Sequence, residues 1–314
     1  MSKYIAVDVG GSKILGALYD EEGQLLQRYK VKTKAHRGRE VVYQTLLGVI
    51  DTLFSEDVAA MGILIPGVIS NSRRVEMCSN IPFEKMDLSE LLEEKYRVPV
   101  LLGNDVNLAV FGEWKHGGYE EKNIVGVFVG TGVGGGFILN GKLYTGKGGA
   151  AEIGHMLYKE NGNLCGCGQF GCLETVAAKS GMLTFMEKER SKGTESVLFE
   201  KLIPGEMFHT TDLYDAWKLG DPLAKKVMKR SMHALGVALG SLNTLLHPEL
   251  FIFGGGVMES FYEEICEELH EILLTHTMPP LREDVRFIRS YLGDDAGITG
   301  AFYLAKEALD GQRP

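Results

Sequence analysis

Strand-like apolar runs at residues 5–9 and 14–18 enclose the glycines at 10 and 11, so the chain opens on a β-hairpin. The same order of strand, glycine turn, strand and tight turn returns at residues 125–142, and an offset of 120 residues sets Gly10 on Gly130 and Gly16 on Gly136. Val7, Val9 and Leu18 then fall on Val127, Val129 and Ile138. Two hairpins can look alike by chance, but a duplicated lobe is the stronger explanation. After an extended piece at 31–33 the apolar spacing turns helical: Val42, Leu46, Val49, Ile50 and Leu53 predict a helix over 39–54. A buried strand at 60–65 ends at Pro66-Gly67, and Asn80-Ile81-Pro82 reads as a loop. A helix over 88–96, a strand over 98–102 and a helix over 107–114, stopped at His116-Gly117-Gly118, complete the first half.

The second half passes from its hairpin through a glycine- and cysteine-rich loop at 146–172 and is largely helical from about 175. Its longest periodic stretch, 223–246, is stopped by His247-Pro248, because proline disfavours helix at the residue before it. A short strand at 250–253 runs into three glycines, followed by a helix to about 275, a strand at 285–290, a loop at 293–297 and a last helix to 309. Strands alternate with helices in both halves, which predicts an α/β fold with covered sheets. At 314 residues two lobes are expected, divided at 1–118 and 119–314, with a cleft between them.

Composition changes this picture little: 45% hydrophobic and 24% charged residues are ordinary for a globular protein. A net charge of -9 without a basic stripe argues against a nucleic-acid partner. No run of about eighteen apolar residues predicts a membrane span, and no secretory leader is visible, so a cytoplasmic location is expected.

Three strand ends break into glycine: Gly10-Gly11-Ser12-Lys13, the run from Gly130-Thr131-Gly132 to Gly136, and Gly254-Gly255-Gly256. Such turns let backbone N–H groups approach an anion, and three of them suit one polyphosphate. Gly130, Gly132 and Gly135 also satisfy the dinucleotide pattern Gly-x-Gly-x-x-Gly, but residues 137–141 read as strand and hairpin turn where that pattern needs a helix. No Walker loop occurs.

Two further constellations carry chemistry. The strand at 98–102 runs into Gly103-Asn104-Asp105. A carboxylate at a strand end facing a cleft can serve as general base, yet Asn104 or Asp105 can equally cap the following helix, and spacing leaves both readings open. His155, Cys165, Cys167 and Cys172 offer one imidazole and three thiols within eighteen residues, which suits a closed, structural Cys3His zinc site. Glu152 and Glu174 flank those ligands, where a clamped loop would fix both carboxylates against sugar hydroxyls.

These motifs resemble the ROK family of repressors and kinases. Asp8 to Lys13 (DVGGSK) resembles its first phosphate loop, with Ser12 where threonine is usual. Gly103 to Asn107 (GNDVN) resembles its catalytic strand end, and Val129 to Gly136 (VGTGVGGG) its second phosphate loop. Glu152 to His155 (EIGH) and Cys165 to Glu174 (CGCGQFGCLE) resemble its sugar and zinc signature, with Ala151 where glycine is frequent.

The resemblance implies an actin-like (ribonuclease H-like), duplicated two-lobe fold and an ATP-dependent hexose kinase. Glucose is the first choice of substrate, with N-acetylated hexosamines, mannose or fructose as alternatives and a non-catalytic sugar sensor as the rival class. It implies Asp105 as base, with Asn80, Asn104, Glu152, His155 and Glu174 on the sugar, His155 serving zinc through one ring nitrogen and sugar through the other. Asp8 would sit near Mg2+. Gly10, Gly11, Ser12, Lys13, Thr131 and Gly132 would line the phosphates, and Gly254, Gly255 and Gly256 the nucleoside end. A dimer or tetramer is expected. Only seven residues precede Asp8, so the DNA-binding domain of the family's repressors is not expected.

Overall fold

The structure, a computed structural model, describes residues 2–78 and 80–310. β1 (Lys3–Val9) and β2 (Lys13–Tyr19) form the first hairpin, and β3 (Leu25–Lys32) extends it antiparallel. The chain crosses through α1 (Arg39–Leu53) to lay β4 (Val58–Ile65) parallel to β1. A small separate hairpin, β5 (Val68–Ser70) and β6 (Arg74–Met77), and α2 (Leu88–Tyr96) then lead to β7 (Val100–Asn104), parallel to β4. The sheet order is β3-β2-β1-β4-β7.

After α3 (Asp105–Gly117) the pattern repeats. β8 (Ile124–Val129), β9 (Val133–Leu139) and β10 (Lys142–Tyr144) run antiparallel, while β11 (Leu250–Gly254) and β12 (Phe287–Arg289) add in parallel, giving β10-β9-β8-β11-β12. The two sheets therefore share order and strand direction, as a duplication requires. Their hairpins differ by one residue: Val7 pairs with Gly16 but Val127 with Gly135, because the second glycine turn is one residue shorter.

α4 (Glu174–Ala177), α5 (Lys179–Ser191), α6 (Thr210–Lys218), α7 (Pro222–Leu246) and α8 (Gly256–Thr275) build the second half's own apolar core. α7 starts where Asp221 accepts from the Ala224 N–H at 2.8 Å with Pro222 in the first turn, and ends at His247 in the left-handed region before Pro248. A second core lies under α1 and α2. The third joins the two sheets. In it α3 and α9 (Ala296–Asp310) contribute Leu108, Phe111, Ile298 and Phe302, packed against Tyr4 and Leu64 of one sheet and Ile138 and Ile252 of the other. Burying each such side chain is worth about 1.5–3 kcal/mol, so this seam fixes how the glycine turns of the two sheets face each other.

β3 begins six residues before the predicted extended piece. It is an edge strand whose residues are almost all exposed, so it carries no apolar alternation to read. β5 and β6 escape for a similar reason: each is short, and the turn between them places Asn71 and Ser72 at positive φ without a glycine signal.

Candidate active site

A pocket of about 340 Å3 opens between the end of β7 and the second glycine turn. Asn104, Asp105, Glu152, His155 and Glu174 line it, together with Thr131, Gly132 and Gly255. Asn104 ends β7 and caps α3: its Oδ1 accepts from the N–H groups of Val106 and Asn107, both at 3.0 Å, while its Nδ2 donates to the Gly67 carbonyl at 3.0 Å. The capping function that spacing left open thus falls to Asn104. Asp105 accepts the Val106 N–H at 3.0 Å and lines the pocket.

Asp105, Glu152 and Glu174 line this pocket, and the charges of Asp8 and Asp294 act beside it. Burial pushes the Asp105 carboxyl up from an ordinary 3.8 to about 6, helped by the negative charges of Asp8 and Glu152 and opposed by its bond from Val106. Burial also lifts Asp8 to about 6, with Lys13 pulling it down and Asp294 pushing it up. Glu152 is raised by burial, lowered by His155 and raised again by Glu174. Desolvated acids that repel one another form a site that a divalent cation would neutralise.

The first glycine turn is braced by Thr33, fully buried, whose hydroxyl donates to the Gly10 carbonyl at 2.5 Å and whose N–H reaches the Ser12 carbonyl at 3.0 Å. A Cβ on Gly11 would stand 3.2 Å from the Asn80 carbonyl oxygen, so this turn leans on the loop that carries Asn80. The second turn is tied to the start of α5 by Lys179 N–H to Gly130 O at 3.0 Å and Ser180 N–H to Thr131 O at 3.3 Å. Glu174 braces it from the other side by accepting the Val133 N–H at 3.0 Å, and a Cβ on Gly132 would stand 2.4 Å from Glu174 Oε2. β9 follows directly, which removes the dinucleotide reading. Of the third glycine set only Gly255 reaches the pocket wall: Gly254 is buried against the Phe128 ring and Gly256 is already the first residue of α8.

Beside the pocket, one nitrogen of His155 and the sulfurs of Cys165, Cys167 and Cys172 all lie within 4.8 Å of one another. Cys167 Sγ to Cys172 Sγ is 3.7 Å and Cys165 Sγ to His155 Nδ1 is 3.5 Å. A tetrahedral zinc ion, with bonds of about 2.3 Å to sulfur and about 2.0 Å to nitrogen, sets S···S edges of about 3.8 Å and S···N edges of about 3.5 Å. The donor set therefore fits zinc in type, number and spacing, with His155 Nδ1 turned toward it. Cys165 Sγ also lies 3.7 Å from Glu174 Oε1, which couples the clasp to the pocket.

The sequence profile of the ROK family matches residues 4–308. The chain belongs to the ROK family. The glucokinase of Thermotoga maritima is 32% identical to this ROK chain over 98% of it and 99% of the relative. The N-acetylmannosamine kinase of Yersinia pseudotuberculosis is 29% identical over 98% and 100%. The crystal structure of a ROK family glucokinase from Streptomyces griseus, in complex with glucose and AMPPNP, superposes with a TM-score of 0.80 at 29% identity, covering 98% of this chain and 100% of that one. The fold is accordingly the actin-like fold of the ROK kinases.

This ROK site also contains residues that the sequence does not single out. Asp294 reaches Asp8 from a 3-10 turn near the C-terminus, and Thr33 holds the first turn from the end of β3. No local signal marks Thr33; Asp294 stands in the glycine-flanked acidic turn Gly293-Asp294-Asp295, which reads in the sequence only as a loop. Asp8, Ser12, Lys13 and Asn80 lie outside the pocket wall proper, on the first-lobe side.

Proposed function

We propose that the protein is an ATP-dependent hexose kinase that phosphorylates the 6-hydroxyl of glucose. The observation that carries this reading is Asp105 at the end of β7, its desolvated carboxylate lining a pocket that a glycine turn also lines. Glu152 and Glu174 accept hydrogen bonds from sugar hydroxyls, the outer nitrogen of His155 donates to a hydroxyl oxygen, and Asn80 closes the sugar side. Backbone N–H groups of the two glycine turns, with Ser12, Lys13 and Thr131, orient the phosphates for in-line transfer. Asp105 takes the proton of the attacking hydroxyl as the bond to phosphorus forms. Asp8 and its neighbours would hold Mg2+, which neutralises charge on the phosphates when bound. Zinc on His155 and the three cysteines would stiffen the sugar loop without taking part in the chemistry. A reduced thiol cluster fits a cytoplasmic setting, and among the described residues no helix is long and apolar enough to cross a membrane. A homo-oligomer, dimer or tetramer, belongs to the same proposal and is read by light scattering.

The direct test is ADP release with glucose against N-acetylmannosamine, N-acetylglucosamine, mannose and fructose. The identity to an N-acetylmannosamine kinase is what keeps the acetylated sugars in that panel. Glucose binding without ADP release for any sugar would instead establish a sensor.

Three further outcomes are expected. Because burial raises the Asp105 carboxyl of the free enzyme to about 6, kcat/KM for glucose is expected to fall as pH drops through about 6 and to level off above about 7, measured as a pH–rate profile at limiting glucose. Asp8 and Asp105 hold their protons more tightly folded than unfolded, so the stability these protons contribute is lost as pH rises through about 6. Replacing Gly132 by valine drives a side chain onto Glu174 and is expected to raise KM for ATP and for glucose together; valine at Gly11 acts on ATP and on the Asn80 side. Wild-type KM for ATP in either variant would separate that turn from the nucleotide.

A further inference from the structure

On the far side of α4 from the cleft, two adjoining hollows of about 280 and 350 Å3 are walled by cations. Lys159, Lys188, Lys192, Lys226, Lys229 and Arg230 line them, in a chain of net charge -9. Lys159, Val176 and Arg230 belong to both, so the hollows form one basin between the loop after Tyr158, α5 and α7. Among the described residues the one carboxylate paired with these cations is Glu189, which takes Lys192 at 2.6 Å and Lys226 at 2.7 Å.

Lysines along a helix face are ordinarily just solvated, but Arg230 departs from that. Its guanidinium stands 3.8 Å from the centre of the Phe185 ring, and burial holds its pKa below the usual arginine value. Its fork of five N–H donors hydrogen-bonds to no described residue and stays open to the basin. The side-chain amides of Asn161 and Asn163 line the same basin.

We infer that this basin binds a small phosphorylated metabolite, its phosphate oxygens taken by Arg230 and the unpaired lysines and its body resting on Phe185 and Val176. Arginine's planar fork matches phosphate, the combined space suits a metabolite-sized ligand, and the concave shape favours such a ligand over a flat macromolecular surface. The basin also has a mechanical connection to the cleft. Thr175 and Val176 line it, while Glu174, the residue before them on the same short helix, lines the catalytic pocket. A third hollow of about 130 Å3 touches Glu174, Thr175 and Asn163 between the two. A ligand in the basin therefore bears on the helix that positions Glu174. That link to sugar affinity rests on the proposed function; binding itself does not.

The test is calorimetric titration of the full chain with glucose and ADP present to fill the cleft. Inorganic diphosphate and fructose 1,6-bisphosphate serve as probes, one offering phosphate alone and the other phosphate on a sugar. One site per chain is expected for at least one probe. Arg230→Gln, and separately the exposed pair Lys159→Gln with Lys188→Gln, should weaken it about tenfold or more, with kcat in the absence of probe unchanged. No heat from either probe, affinity unaltered in both variants, or displacement of both probes by an aspartate-rich peptide would overturn the proposal. Should binding hold while the KM for glucose stays fixed, the link through α4 to the sugar falls and the anion site stands.

Discussion

Replacing Asp105 with asparagine is expected to lower kcat by at least about a hundredfold while glucose still binds, since general-base assistance is typically worth that much or more. Asparagine has the same shape and can still accept the Val106 N–H through its carbonyl oxygen, so the end of β7 and the Asn104 cap stay in place. What it cannot do is take a proton from the hydroxyl. Stability should move the other way. The aspartate is ionised at neutral pH against a burial cost that raises it to about 6, and a neutral amide escapes that cost. Above pH 7 the variant is therefore expected to melt no lower than wild type, and a buried charge of this kind marks a site where function is kept at the expense of stability. Turnover, calorimetric glucose binding and thermal melts on one preparation decide it. Near-wild-type kcat would remove Asp105 from the mechanism, whereas lost activity with a lowered melting temperature would indicate a structural role.

The second large effect concerns metal. Purified protein is expected to contain about one zinc per chain, and removing it with a strong chelator or by acid should weaken glucose affinity far more than affinity for an ATP analogue. The geometry explains the asymmetry. His155 belongs both to the Cys3His donor set and to the pocket wall, and Glu174 touches Cys165, so a metal held there would fix two residues proposed to bind sugar. The second glycine turn holds none of the four donors and meets this loop through the bond from Val133 to Glu174 and the close approach of Gly154 to the Val133 carbonyl. Cys167→Ser should reproduce the loss, because Cys167 is exposed and contributes little packing of its own. Global unfolding is not expected: the cores under α1 and α2 and along the α3–α9 seam use none of that loop, and the core around α7 takes from beside it only residues at its margin such as Ile153 and Leu173. Elemental analysis with paired titrations before and after chelation is the measurement. Stoichiometric zinc whose removal leaves glucose affinity intact would make the site a bystander, and protein without zinc would sink the idea.

Much of this architecture is legible in the order of residues alone. Helices with a clear apolar face, such as α1, α2 and α7, lie within a residue or two of their predicted limits, because burying one face imposes the spacing locally. The zinc ligands are legible because they crowd into one short loop. Asp105 is placed at its strand end by the chain, but whether it or Asn104 caps α3 depends on which side chain turns back onto the helix, and spacing does not encode that. β3, β5 and β6 stay hidden where edges and short hairpins carry no periodicity.

The sequence by itself therefore determined the alternation of strand and helix, the three glycine turns, the metal-ligand set and the resemblance to a family, all of which are written within windows of a few residues. Only the tertiary structure decided which distant pieces meet. It brought Asp294 to Asp8, Thr33 under the first glycine turn, Glu174 onto Val133, and α9 from the end of the chain into the seam between the sheets. It also gathered Lys159, α5 and α7 into a basic basin that no stretch of the chain announces. The physical reason is the same throughout. Local order follows from backbone and side-chain preferences over a few residues, whereas the burial that shifts Asp105 and the contacts that aim each carboxylate arise only when segments far apart in the chain exclude water together.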